Sequence, residues 1–265
     1  MDPLRDAPPQ QVPLAHQLRR VLCSVQFSRN LAINEQSGVG VTDFQKRIVG
    51  EYPRLTTEIE QGILFQLDGS GALQPMMQSN PVWRFSTLDN AWRVSLTQDT
   101  LAIDTGTAYT HRDEFVTRLK RVLLALQTVY QPAEAMRIGC RYINVLDGAA
   151  RDNISELVRD EFAAFGGERF QSALRVSTNL SEFEVPEGNL IVRWGHLPPG
   201  STHDPAVLDP EAVWRWFLDL DASYTIPESF DGDVLFRRAL SLTERVYSMF
   251  RWAVKPKYLE THGAA

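Results

Sequence analysis

The sequence predicts an α+β protein: two copies of a β-α-β-β-β-α unit, with roughly eight strands in an antiparallel sheet and long helices on one face. Three observations predict it. Several short segments alternate apolar and polar residues, the signature of a half-buried strand. Two longer segments, near 113–130 and 233–253, carry apolar stripes at helical spacing. The order of these elements runs once to about residue 131 and then runs again, a repeat of structure rather than of letters.

Residues 1–13 hold four prolines and read as a flexible lead-in. Val21, Cys23, Val25 and Phe27 alternate as a first strand. Thr42 to Gln45 has capping-box spacing, and Val41, Phe44, Ile48 and Tyr52 lie on one helical face that Pro53 ends. Residues 54–80 give no clear period; Ile59 to Leu67 reads as a candidate strand inside a long excursion with Gly-Ser-Gly at 69–71. Trp83 and Phe85, then Trp92, Val94 and Leu96, alternate around a two-residue turn at Asp89-Asn90. That turn pairs Phe85 with Val94 and Trp83 with Leu96. Leu101 and Ile103 begin a third strand. Thr110 and Asp113 cap a helix striped by Phe115, Leu119, Val122, Leu126 and Val129, which Pro132 ends.

The second pass starts with a strand over 136–146. Asn153 and Glu156 cap a helix faced by Ile154, Leu157, Val158, Phe162 and Phe165, closed by Gly166-Gly167. Strands follow at Leu174–Thr178, Leu190–Trp194 and Trp214–Leu220, with a Pro/Gly loop over 198–210 before the last of them. The final helix carries Leu235, Ala239, Leu242, Val246 and Met249 on one stripe. The expected organisation is therefore one compact domain: lead-in 1–13, halves 14–131 and 132–253, and a tail 254–265.

Composition narrows the function. Apolar residues form 43% of the chain, enough for a sizeable core. A net charge of −6 argues against non-specific duplex DNA binding, which depends on neutralising phosphates. Two cysteines, Cys23 and Cys140, cannot build a disulfide framework, and each falls in an apolar strand pattern. Both read as buried thiols in a reducing compartment, with the cytoplasm as the expected location. No apolar run is long enough to span a membrane.

Several residues together resemble a known group. They are Tyr52-Pro53-Arg54, Trp83-Arg84-Phe85, Trp92 to Leu96, the segment Arg137 to Asn144, and Leu218-Asp219-Leu220-Asp221. With them the chain, over roughly 14–253, resembles the sporadically distributed family of conserved hypothetical proteins of bacteria and archaea. Arg141-Tyr142-Ile143-Asn144 is the most specific piece. The resemblance implies a compact architecture and carries over no catalytic residue. A patchy distribution suits genes of microbial conflict, such as defence, immunity or toxin–antitoxin modules.

Strand parity puts Arg84, Arg93, Arg137, Arg141, Arg175, Arg193 and Arg215 opposite the apolar faces of their strands. Guanidinium groups suit carboxylate or phosphate, so this face is a candidate for an anionic small molecule, RNA or an acidic partner segment. The plainer reading is a solvated face of cross-strand ion pairs. Tyr142 and Asn144 form a polar cluster on the other parity, with structural roles or a pocket between sheet and helices as alternatives. Asp219 and Asp221, two apart on a strand, point the same way; a metal site would need a third acid, such as Asp104 or Glu184. His203-Asp204 sits in the Pro/Gly loop and reads as solvated, while His196 reads as a core histidine at a strand end. Trp83, Trp92, Trp194, Trp214 and Trp216 read as core. Gly38-Val39-Gly40 reads as a loop. No nucleophile elbow, Walker loop, dinucleotide fingerprint or zinc spacing appears, so no cofactor is expected.

The expectation that follows is a non-catalytic accessory, immunity or antitoxin-type protein that binds a protein partner. A sensor of an anionic small molecule or RNA through the arginine face is the first alternative. A divergent metal-dependent phosphoesterase or nuclease using Asp219 and Asp221 is the second.

Overall fold

A computed structural model describes residues 2–6, 18–34, 39–67, 73–163, 165–166, 170, 173–225 and 227–262, over 60–67 and 73–79 by backbone alone. The Gly-Ser-Gly at 69–71, Gly38, Gly167, most of the lead-in and the last three residues lie outside them.

The first half runs β1 (Leu18–Phe27), a 3-10 turn (Leu31–Asn34), α1 (Val39–Ile48), β2 (Arg54–Leu67), β3 (Leu73–Ser86), β4 (Trp92–Leu96), β5 (Thr100–Thr105) and α2 (Arg112–Tyr130). The second runs β6 (Glu134–Asp147), three short turns α3 (Gly148–Asp152), α4 (Ile154–Leu157) and α5 (Asp160–Ala163), then β7 (Ser177–Val185), β8 (Gly188–Leu197), β9 (Arg215–Tyr224), β10 (Glu228–Ser229), α6 (Gly232–Ala253) and α7 (Pro256–His262). All the described strands join one antiparallel sheet, ordered β2-β3-β4-β5-β1-β6-β9-β8-β7, with β10 beside β6.

Among the described residues the sheet therefore holds ten strands rather than about eight. The two additions are β10 and β2: residues 54–67 pair along their whole length with β3, and an apolar run at 63–65 hides their two-residue period in the sequence. The register deduced for β3 and β4 holds, with Phe85 opposite Val94 and Trp83 opposite Leu96. Its connection is wider than two residues: Thr87 N–H already bonds Trp92 O, and Asn90 takes the left-handed conformation at φ 59°. The helix expected over 154–165 breaks into separate turns. The strand expected from Leu174 starts at Ser177, and that expected from Trp214 starts at Arg215.

One face of the sheet is apolar because period-2 residues alternate on its strands. Cys23, Val25, Phe85, Val94, Ile103, Ile138, Val192, Trp216, Leu218 and Leu220 are all buried there. Helices α2 and α6 cover that face, and their stripes (Phe115, Leu119, Val122, Leu126; Leu235, Ala239, Leu242, Val246, Met249) complete the core. Their starts are fixed locally. Asp231 caps α6 by accepting from Asp233 and Val234 N–H, and His111 Nδ1 caps α2 by accepting from Asp113 N–H. Trp216 is fully buried, and Trp83 and Trp92 nearly so; Trp194 is only partly buried, and Trp214 lies before β9 under the Arg151 guanidinium. No described helix is long and apolar enough to cross a membrane.

Candidate functional site

The face away from the helices carries the polar positions of the strands. The β8–β9 connection, residues 198–214, folds back over the β6–β9 part of this face. Arg215, with no exposed surface, holds it down: Nη1 donates to Asp209 O at 2.9 Å and Nη2 to Ser201 O at 2.8 Å. Arg20 Nη1 donates to Ala206 O. A second, smaller apolar cluster of Ile143, Val145, Leu197, Leu208 and Phe217 seals the space beneath the loop. Burying those side chains drives the docking, at roughly 1.5–3 kcal/mol for each one fully covered.

Asp219 is the centre of this layer and is completely buried. Arg141 grips both its oxygens, Nε to Oδ1 at 2.8 Å and Nη2 to Oδ2 at 2.6 Å, and reaches Asp204 of the loop with Nη1 at 2.9 Å. His203 Nε2 lies 2.8 Å from Asp219 Oδ2, and its ring stacks on Phe217 at 4.2 Å. Arg193, opposite Asp219 in the ladder, stands 3.5 Å from the same oxygen. Burial pushes the Asp219 carboxyl up, but the Arg141 and His203 hydrogen bonds outweigh it and hold the group below the ordinary carboxylate range. Asp221, two residues on, goes the other way. Burial dominates and raises it, because its nearest cation, Arg137, is 3.6 Å away.

The seven arginines do not form one basin. Arg84 meets Glu58 and Ser95 Oγ, and Arg93 makes a bidentate pair with Asp104 at 3.0 and 2.9 Å. Arg137, Arg141, Arg193 and Arg215 sit around Asp219, Asp221 and the loop. Arg175 is exposed and outside any described strand. Asp219 and Asp221 share a face, yet the further acids considered for a metal lie elsewhere: Asp104 is on β5, beyond β1 and β6, and pairs with Arg20 and Arg93, while Glu184 is exposed on β7. With both Asp219 oxygens bonded to Arg141, a cation would have to displace that guanidinium. Among the described residues no cluster of three or more His, Cys, Asp or Glu side chains is arranged to hold a metal.

Tyr142 lies on the helical side, edge-on to Tyr109 at 5.7 Å, and burial raises its hydroxyl well above the ordinary range. Asn144 is buried mid-strand, and its Oδ1 has no hydrogen-bond partner among the described residues. His196 is buried, 3.1 Å from Ala163 O. His203 corrects the solvated reading: its burial comes from the loop's docking, for which the sequence holds no local signal. The one available hint is an acidic-histidine pair in a loop adjoining a strand with two aspartates.

A second feature lies at the end of the sheet. β7 is its last strand, and its outer edge has no strand neighbour among the described residues. Its two-residue turn to β8 makes Val185 and Gly188 the closing hydrogen-bonded pair. Antiparallel alternation then turns the backbone N–H and C=O of Glu184, Glu182, Leu180 and Thr178 outward. The nine residues contain no Lys, Arg or Pro, the usual guards of an exposed edge, and Leu180 is 63% exposed. Glu182 and Glu184 are exposed on the same face as Leu180. No family model matches this chain, and no curated protein matches it.

Proposed function

We propose that the protein is a non-catalytic binding module that takes up an extended segment of a protein partner along β7. The carrying observation is the open nine-residue edge with its outward backbone groups and exposed Leu180. Such an edge binds a strand by main-chain hydrogen bonds, and side chains on alternate positions select it. Leu180 asks for an apolar residue opposite, and Glu182 and Glu184 for basic ones. The chain's net charge of −6 favours a basic partner in the same sense.

The accessory, immunity or antitoxin-type role in the cytoplasm, and membership of the sporadically distributed family, belong to this proposal. So does internal duplication. Its support is the strand order, in which β5-β1 and β6-β9 stand in mirrored positions about the central β1–β6 pair.

The test is co-expression with the products of adjacent genes. A stable complex lost on Leu180→Pro, whose missing N–H faces away from β8, supports the reading. If no product binds, or the complex ignores the substitution, the reading fails. Uptake of an anionic small molecule or RNA has one observation in its favour, the buried Arg193 Nη1 without a hydrogen-bond partner among the described residues. Against it, the arginines around that atom already face carboxylates.

A further inference from the structure

We propose that Cys23 and Cys140 are a site of reversible oxidative modification, closing an intramolecular disulfide that fastens β1 to β6 in the middle of the sheet. The ladder places the two residues directly opposite each other, and their Sγ atoms lie 3.0 Å apart. Cys140 donates a hydrogen bond to Cys23 across this gap, which is closer than the roughly 3.5–4.0 Å of carbon–carbon contact. Directly opposed residues of an antiparallel pair have Cα atoms roughly 4.5–5.5 Å apart. A disulfide spans Cα separations of about 4.4–6.8 Å, so directly opposed residues lie within its reach. The chain has only these two cysteines, which leaves a single intramolecular pairing.

The surroundings set how the site behaves. Both thiols are fully buried, flanked in the ladder by Ile103 and Ala222. Burial, together with the neighbouring Cys23, raises the Cys140 thiol well above its ordinary range and outweighs the opposing pull of the Arg137 charge. Oxidation therefore waits on local opening of the strands, and a small oxidant is favoured over a bulky one. A peroxide suffices. One thiolate attacks the O–O bond, giving a sulfenic acid and hydroxide. The second thiol's sulfur then displaces the sulfenic oxygen, which leaves as water while the S–S bond forms. The two thiols lose two electrons and two protons, and hydrogen peroxide becomes two waters.

The experiment exposes the native protein to hydrogen peroxide, unfolds it with maleimide present and measures the intact mass. The expected result is a loss of two hydrogens, no maleimide adduct, a monomer on a non-reducing gel, and two adducts again after dithiothreitol. Cys23→Ser removes the mass loss. A raised urea midpoint for the oxidised wild type, reversed by dithiothreitol, locates the bond in the folded state. Two maleimides on the oxidised wild type, sulfinic or sulfonic products, or a disulfide-linked dimer would each overturn the proposal.

Discussion

Replacing Asp219 with alanine tests the polar layer at its centre. The carboxylate has no exposed surface and holds Arg141 through two hydrogen bonds, His203 at 2.8 Å and Arg193 at 3.5 Å. Its removal leaves Arg141 with Asp204 as its one close ion-pair partner among the described residues, and Arg193 with no carboxylate opposite it. Breaking one partner from a buried pair costs about 3–5 kcal/mol, a large part of the roughly 5–15 kcal/mol that holds a domain folded. For a chain of this size each kcal/mol lowers Tm by about 2–4 °C, so the expected fall is roughly 6–20 °C. Urea unfolding at neutral pH, followed by tryptophan fluorescence, measures the free-energy loss, and a thermal melt measures the fall in Tm. The pH dependence has a fixed sign. The folded-state carboxyl lies below the ordinary 3.8, so its contribution is complete above that value and disappears as pH falls through the lowered one. The wild-type advantage over Asp219→Asn should therefore hold at neutral pH and close in acid. The double variant Arg141→Leu/Asp219→Leu should lose less than the sum of its single changes. A loss below about 1 kcal/mol for Asp219→Ala would refute the reasoning, since the carboxylate could not then be the centre that holds Arg141 and His203 in place.

Asp221→Asn should act in the opposite direction. Its carboxyl is raised by burial, so the wild type is favoured below 3.8 and loses that stability as pH rises through the folded value; the variant should melt higher at neutral pH, and the gap should close in acid. Gly166→Ala should destabilise by about 1–3 kcal/mol, because a Cβ there would collide with the His196 ring, and thermal unfolding reads the loss. Leu180→Pro should leave unfolding free energy within about 1 kcal/mol of wild type, as the residue's N–H faces outward from an edge strand. A larger loss by urea titration would mean that β7 is not an open edge.

The sheet was legible wherever alternation was clean. Trp83, Phe85, Trp92, Val94 and Leu96 give both the face and the register of β3 and β4 by their alternation alone. The long helices were legible for the same reason, since a four–three spacing over five residues admits no other period. The outer hairpin was hidden because consecutive apolar residues at 63–65 suppress the alternation. The polar layer was only half visible. Sequence parity puts Arg141, Asp219 and Asp221 on one face but makes the two aspartates equivalent. What separates them is the diagonal reach of Arg141 and the arrival of His203 from a loop 16 residues before Asp219, and both are tertiary events. His203 and Asp204 therefore pass for solvated residues until the loop is seen to dock.

The middle of the sheet has a consequence for biosynthesis. β1 pairs on one side with β5 and on the other with β6, whose first residue, Glu134, is made 107 positions after Phe27 (134 less 27). At about 5–20 residues per second, a ribosome needs roughly 5–20 s to deliver that neighbour. Throughout that delay the N-terminal strands have an incomplete border along β1, whose Val21, Cys23, Val25 and Phe27 are buried in the finished molecule. Non-local pairing of this kind folds slowly and exposes nascent chains to wrong associations. The burden of avoiding them during synthesis falls on whatever shields the emerging polypeptide.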